Sequence, residues 1–252
     1  MAGLTVSNGL LFGTTFQGGT ECGIVGCGTA FSVTTSGHYR LFHNFGNEFG
    51  RKDYAANPWS GLTLLNGNFY GTTLDGGASD LGTVFRLSAA GKEHVLHSFG
   101  FGSGGNLPEA GVTVLGGTLY GTTYEGGTGT GCAGTGGCGV VYSVTTGGQE
   151  SVLYSFNHSD GDGSFPEASL TVFKGTLYGT TSSGGTGCGS NGGCGTVFSV
   201  TTAGQETVLH SFSSGSDGAY PVAGLINVNG TLYGTTEAGG ANGYGTVFAL
   251  SP

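Results

Sequence analysis

Charge is scarce in this chain, and positive charge scarcest: 8% of residues are charged, with six Lys and Arg against fifteen Asp and Glu, for a formal net charge of −9. A surface so poor in cations cannot neutralise phosphates, which excludes nucleic acid and anionic membrane surfaces as partners. Long apolar runs are missing as well; none approaches the roughly 18 residues that would insert in a bilayer. No segment carries a helical apolar period of useful length, so a helical fold is excluded. Met1-Ala2-Gly3-Leu4-Thr5 does not have the basic-then-apolar make-up of a signal peptide. Glycine, by contrast, is abundant, at 57 of 252 residues. In a chain without periodicity this would mean disorder, but here the glycines punctuate apolar runs of strand length, so a core can still be buried.

Those runs recur. Leu10-Leu11-Phe12-Gly13-Thr14-Thr15 is followed by Phe69-Tyr70-Gly71-Thr72-Thr73, Leu119-Tyr120-Gly121-Thr122-Thr123, Leu177-Tyr178-Gly179-Thr180-Thr181 and Leu232-Tyr233-Gly234-Thr235-Thr236. After a glycine-rich stretch each copy continues with a second phrase: Gly28-Thr29-Ala30-Phe31, Gly82-Thr83-Val84-Phe85, Gly139-Val140-Val141-Tyr142, Gly195-Thr196-Val197-Phe198 and Gly245-Thr246-Val247-Phe248. The copies start at Gly3, Gly61, Gly111, Ser169 and Gly224, a spacing of 50 to 58 residues. Tandem units of this size, running end to end without a linker, indicate one repeat domain over residues 1–252.

Within the third unit, Val112-Thr113-Val114-Leu115, Thr118 to Thr123, Val140 to Val144 and Ser151 to Phe156 read as four β-branched and aromatic strands. The first turn is Asn8-Gly9, Asn66-Gly67, Gly116-Gly117, Lys174-Gly175 or Asn229-Gly230, and four of these are dipeptides suited to tight hairpins. The expected fold is all-β: a five-bladed β-propeller with blades at about 3–60, 61–110, 111–168, 169–223 and 224–252. An open solenoid is the alternative, disfavoured by the hairpins. The last unit stops at Leu250-Ser251-Pro252 after its third strand, so the last blade is expected to be three-stranded. Its open edge offers a route to self-association.

Six cysteines come as Cys22/Cys27, Cys132/Cys138 and Cys188/Cys194, always in the stretch between the two phrases. That stretch is eight residues in repeats two and five, which have no cysteine, and twelve, fifteen and thirteen in the others. Three local disulfides that restrain the inserted loops, in an oxidising extracellular setting, are the simplest account. Zinc is the competing reading; the spacing fits it poorly and no histidine completes a shell.

Antiparallel order places the second-to-third and fourth-to-first connections on one face of the molecule. That face collects the cysteine loops, the long linkers and twelve of the fifteen acids, joined only by the cations Arg51 and Lys52; Glu93, Glu150 and Glu206 are assigned to the opposite, tight-turn end. Function is expected on the elaborate face, because loops on a rigid scaffold carry binding residues.

The two phrases, with the Leu-His-Ser-Phe strand and the linkers Pro108-Glu109-Ala110-Gly111 and Pro221-Val222-Ala223-Gly224, resemble the GloVer tandem repeat of bacterial surface proteins. This "choice-of-anchor" resemblance spans nearly the whole chain. It implies a secreted or cell-surface bacterial protein and brings no catalytic residues with it. The expected C-terminal sorting segment is not found after Pro252.

Positions that vary between repeats are the candidates for specificity. After each Thr-Thr stand Phe16-Gln17, Leu74-Asp75, Tyr124-Glu125, Ser182-Ser183 and Glu237-Ala238. An aromatic beside a polar acceptor suits a sugar ring and its hydroxyls, so Gln17, Asp75, Tyr124, Glu125, Glu237 and the lone tryptophan, Trp59, are the candidate ligand-binding residues. The expected function is a binding module for a glycan or cell-surface polysaccharide. Asp75, Glu125 and Glu237 would be the carboxylates of a glycosidase, the alternative; a structural adhesion element is a third reading. No cofactor is expected, although Asp160, Asp162 and Asp217 in Asp-Gly turns faintly resemble calcium ligands.

Overall fold

The structure, a computed structural model, describes residues 3–46, 54–132, 134, 136–189 and 192–252. Arg51 and Lys52, the cations assigned to the long-loop face, lie outside the described residues. Each repeat folds as an antiparallel meander. The first comprises β1 (Thr5–Ser7), β2 (Leu10–Thr15), β3 (Thr29–Thr34) and β4 (Tyr39–Asn44), paired in that order. In the second, β5 (Ala55–Pro58) and β6 (Thr63–Leu65) both pair β7 (Asn68–Gly76), followed by β8 (Thr83–Leu87) and β9 (Glu93–Ser98). The third has β10 (Thr113–Leu115), β11 (Thr118–Thr123), β12 (Val140–Val144) and β13 (Glu150–Ser155). A short strand, β14 (Gly163–Ser164), precedes the fourth sheet of β15 (Thr171–Phe173), β16 (Thr176–Thr181), β18 (Thr196–Val200) and β19 (Glu206–Ser211), and pairs with β17 (Ser183–Gly184). The last sheet has three strands, β20 (Ile226–Val228), β21 (Thr231–Thr235) and β22 (Val247–Leu250). The only helical element among the described residues is a single 3₁₀ turn, Gly215–Asp217.

The hairpins form as their dipeptides dictate. Both central residues have positive φ in every first turn, for example 50° and 75° at Asn8-Gly9, and Lys174 adopts φ 50° with its ammonium 4.9 Å from the Phe173 ring. The opposite turns are closed by a hydroxyl: Thr34, Ser88, Thr145 and Thr201 accept the N–H of the residue four further on, at 3.0–3.1 Å.

The chain packs as two compact units, one of residues 1–101, 106–119 and 144–150, the other of residues 102–105, 120–143 and 151–252. The core of the first includes Phe12, Phe45, Leu62, Phe69, Phe85 and Leu87. That of the second includes Tyr178, Val197, Phe212, Leu225 and Leu232.

The recurring Tyr-Gly-Thr-Thr phrase has one physical job per residue. A Cβ on Gly71 would stand 2.7 Å from the Phe85 ring, and one on Gly13 2.8 Å from Phe31, so glycine is what lets the aromatic of the third strand lie across the second. The first threonine reaches out of its own repeat. Thr14 donates to the Ser60 carbonyl at 2.7 Å and Thr72 to Ala110 at 2.8 Å in the first unit; Thr122 donates to Ala168 at 3.3 Å and Thr180 to Ala223 at 3.2 Å in the second. First strands are tied in the same way, Thr63 to the Val112 carbonyl at 2.6 Å, Thr5 to Leu62 and Thr171 to Leu225. The second threonine stays local: Thr73, Thr181 and Thr236 share a hydrogen bond of 2.7–2.9 Å with Thr83, Thr196 and Thr246. The linker prolines Pro58, Pro108, Pro166 and Pro221 each press on the glycine that opens a third strand, and that glycine has a φ near +90°.

Gly71→Ala should therefore cost about 1–3 kcal/mol by overpacking against Phe85. Urea denaturation of the Gly71→Ala/Phe85→Leu double variant should show a non-additive recovery, because the two residues are in contact. All six cysteines are bonded, as Cys22–Cys27, Cys132–Cys138 and Cys188–Cys194. Each closes a short loop between strands, so reduction should lower stability by about 2 kcal/mol per bond. The far-UV circular dichroism of the sheets should persist.

Candidate functional site

The residues after each Thr-Thr are held by a hydroxyl that is already part of the sheet. Thr15, Thr73, Thr123, Thr181 and Thr236 donate to the carbonyl two residues on, at Gln17, Asp75, Glu125, Ser183 and Ala238, all at 2.8–2.9 Å. In four of the five copies the second threonine also accepts the N–H of the third-strand residue facing it, at 2.9–3.2 Å. The variable pair is thus displayed from a fixed turn.

In the first unit, Phe16 meets Trp59 edge-on with ring centroids 5.1 Å apart, and Trp59 is 40% exposed. Gln17 beside them is exposed. Asp75 is half-buried near Asp80, which accepts from the Tyr54 hydroxyl at 3.0 Å and from the Gly76 N–H at 2.8 Å. Burial, and then the charge of Asp80, raise the Asp75 carboxyl above its usual range.

In the second unit, Tyr124 stacks on Phe165 at 5.0 Å with the rings 30° apart. Glu125 folds against Gly136, where a side chain would occupy the same space. Glu237 is exposed and donates its backbone N–H to the Tyr220 carbonyl at 3.0 Å. It acts on Glu167, which stands at the linker position equivalent to Trp59. Burial raises the Glu167 carboxyl, a hydrogen bond from Ser182 opposes this, and the Glu237 charge adds to the rise. Ser182 Oγ also lies 3.0 Å from the Phe165 carbonyl, and its one proton serves a single acceptor at a time.

Two clefts arise where the fourth strands of successive repeats approach. One, of about 440 Å³ in the first unit, is lined by Glu21, His43, Tyr54, Glu93 and His97 among others, and His43 Nε2 lies 2.7 Å from Glu93 Oε2. The other, of about 520 Å³ in the second unit, is lined by Tyr154, Asn157, Asp160, Asp162 and Glu206 among others. Asp162 accepts from the Tyr154 hydroxyl at 3.0 Å and from the N–H groups of Asn157 and Gly163 at 2.7 Å. Burial raises its carboxyl despite these bonds, which lower it. Glu206 Oε1 is buried with no hydrogen-bond partner among the described residues. Burial, with the charge of Asp162 behind it, pushes the Glu206 carboxyl up to about 7, and burial followed by both acids raises the Tyr154 phenol.

Sequence reasoning sent Glu93 and Glu206 to the plain end of the molecule. The structure brings each to a cleft, because the start of one fourth strand lies against the repeat before it, as the Glu93–His43 contact records. The signal was present: Glu93, Glu150 and Glu206 each open a fourth strand, and His97, Tyr154 and His210 each follow four residues later.

The calcium candidates are engaged in turns. Asp160 is exposed at φ 58°, and Asp217 accepts from His210 Nε2 at 2.9 Å and from the Ser213 N–H at 2.8 Å. Among the described residues no group of three or more His, Cys, Asp or Glu side chains could hold a metal ion. No helix among them is long and apolar enough to cross a membrane.

The Glu206 cleft makes stability depend on pH in a defined direction. Its folded-state pKa lies above the unfolded value, so the folded state holds the proton more tightly and stability should fall as pH rises from about 4.5 to about 7. Glu206→Gln should flatten the melting temperature over that window relative to wild type. His97, whose pKa burial lowers, contributes the opposite slope below its usual value in both proteins.

Among solved structures, the chain is similar to a streptogramin B lyase, with 14% identity and a TM-score of 0.54 over 98% of this chain and 67% of that one. It is also similar to a luciferin-regenerating enzyme (12%, TM-score 0.50, 92% and 76%) and to XC5397 from Xanthomonas campestris, a gluconolactonase (14%, TM-score 0.50, 89% and 65%). The chain spans about two thirds of the length of the first and third, and likeness at these identities concerns the fold alone: all-β and propeller-like. No curated protein matches it in sequence. A family model described as the Gloeobacter/Verrucomicrobia repeat matches residues 1–187 and 130–252, which between them take in every copy of the two phrases. The chain belongs to the Gloeobacter/Verrucomicrobia repeat family.

Proposed function

We propose that this chain is a secreted or surface-displayed bacterial β-propeller of five blades that binds glycans through the loops after its second strands. The observation that carries the reading is the pairing of aromatics at those loops. Phe16 with the exposed Trp59 in one unit, and Tyr124 with Phe165 in the other, offer flat apolar surfaces beside the polar side chains of Gln17 and Glu125. Such a surface with adjacent acceptors suits a pyranose ring and its hydroxyls. Repetition of weak sites on one scaffold would supply avidity. The three disulfides are compatible with an extracellular setting.

A hydrolytic reading is favoured by one specific observation, the Glu167 carboxyl raised by burial and by Glu237. A carboxyl raised by burial beside one that is exposed matches the division into acid and base of a glycosidase. In that reading Glu167 is the proton donor and Glu237 the exposed carboxylate beside it.

A glycan array followed by calorimetry tests the first reading. Trp59→Ala and Tyr124→Ala should each weaken binding about tenfold, the loss of one stacked sugar contact. Failure to bind any polysaccharide, with or without calcium, would exclude it. Release of reducing sugar from the bound glycan, abolished by Glu167→Gln while binding persists, would establish the hydrolytic reading instead.

A further inference from the structure

Four linkers share a backbone conformation that favours glycine, and none of them uses it. Asn57, Leu107, Phe165 and Tyr220, each directly before a linker proline, have φ between 54° and 59°. A residue before proline is ordinarily extended, and this region is strained for any bulky side chain. Backbone bonds hold the conformation from both sides. Each N–H donates to a carbonyl just ahead of a third strand, that of Cys27, Leu81, Cys138 or Cys194, at 2.7–3.1 Å. The carbonyls of Phe165 and Tyr220 accept the N–H groups of Ser182 and Glu237, both at 3.0 Å. A chain with 57 glycines that keeps side chains at these four places keeps them for what they touch.

In the third repeat the contact is plain. Phe165 is half-buried against Tyr124, the first residue after Thr-Thr, with the two rings stacked at 5.0 Å. Phe16 and Leu74 keep the place of Tyr124 apolar in the first two repeats. The fourth repeat has Ser182 there and Tyr220 in the place of Phe165. Ser182 is buried, and its hydroxyl serves the Phe165 carbonyl or Glu167. Among the described residues no aromatic ring meets Tyr220, which is 38% exposed. Glu237, joined to it through the backbone, is exposed, and its charge reaches the half-buried Glu167.

We infer that Tyr220 is the platform of a further subsite, where the ring of a neutral sugar takes the place that Tyr124 holds against Phe165, a step that rests on the glycan-binding reading above. The phenol ring covers the C–H face of a pyranose, and Glu237 and Glu167 are the carboxyls available to its hydroxyls. Acidic sugars are refused. Residues 157–168, 182–195, 213–224 and 237–244 contain no lysine or arginine, so a uronate or sulfate would face carboxyls with no cation between them.

The test is calorimetry of the intact chain with cellohexaose, xylohexaose and mannohexaose as neutral probes and hexagalacturonate as the acidic one. Binding of at least one neutral probe, and none of hexagalacturonate, is expected. Tyr220→Gly removes the ring and relaxes the φ that strains a side chain. Its melting temperature should therefore equal or exceed that of wild type while affinity falls at least tenfold. Ser182→Tyr, which rebuilds the stack of the third repeat, should lower affinity to the same extent. A lower melting temperature in Tyr220→Gly would assign the ring to packing and overturn the inference. So would unchanged affinity in Tyr220→Gly when Trp59→Ala or Tyr124→Ala weakens binding, an outcome that leaves the glycan reading standing. Equal binding of hexagalacturonate would overturn the ligand class. Binding of none of the neutral probes would overturn the subsite as well, and the glycan reading falls with it only if the array is also blank.

Discussion

A threonine hydroxyl that leaves its own sheet is the interaction on which the rest of this structure depends. Thr14, Thr72, Thr122 and Thr180 each bond the carbonyl of the linker that starts the next repeat, and in Thr72 and Thr122 the donor is fully buried. An unpaired hydroxyl and carbonyl at such depth would cost more than the bond contributes, so each repeat is held to one position of the linker that follows it. The equivalent threonine of the last repeat, Thr235, is exposed. Aromatic packing acts along the same line: Phe45 on Phe85 in one unit, and Phe156 on Phe198 and Phe212 on Phe248 in the other, at 4.9–5.0 Å, carry each fourth strand onto the next third strand.

This rigid connection explains why the few titratable groups are perturbed as they are. Fourth strands of successive repeats approach closely enough to bury carboxylates, and the chain has too few cations to neutralise them. Glu93 finds His43, whereas Glu206 is buried in a cleft with Asp162, and its carboxyl is pushed up to about 7. The loops after the second strands show the same pattern, where burial and then Asp80 raise Asp75, and burial, with Glu237 adding to it, raises Glu167.

Much of this architecture is legible in the amino-acid sequence. Asn-Gly and Gly-Gly dipeptides located the first hairpins, the two phrases located the second and third strands, and cysteine pairs confined to the longer loops indicated local disulfides. The residues after Thr-Thr stand in a turn that a threonine hydroxyl holds. What could not be read was which side chains distant in the chain would meet. Tyr124 finds Phe165, Glu237 acts on Glu167, and Glu206 shares a cleft with Asp162, across separations that no periodicity encodes.

By itself the sequence determined the number of repeats, the strands within each, the turn chemistry and the reason glycine precedes the threonines, because these are set by residues close in the chain with a repeating period. Only the tertiary structure decided the sites. Burial and electrostatic coupling depend on the through-space approach of fourth strands and linkers, so three glutamates equivalent in sequence have different fates: Glu93 is paired with a histidine, Glu150 is raised by burial, and Glu206 is raised by burial together with a second acid.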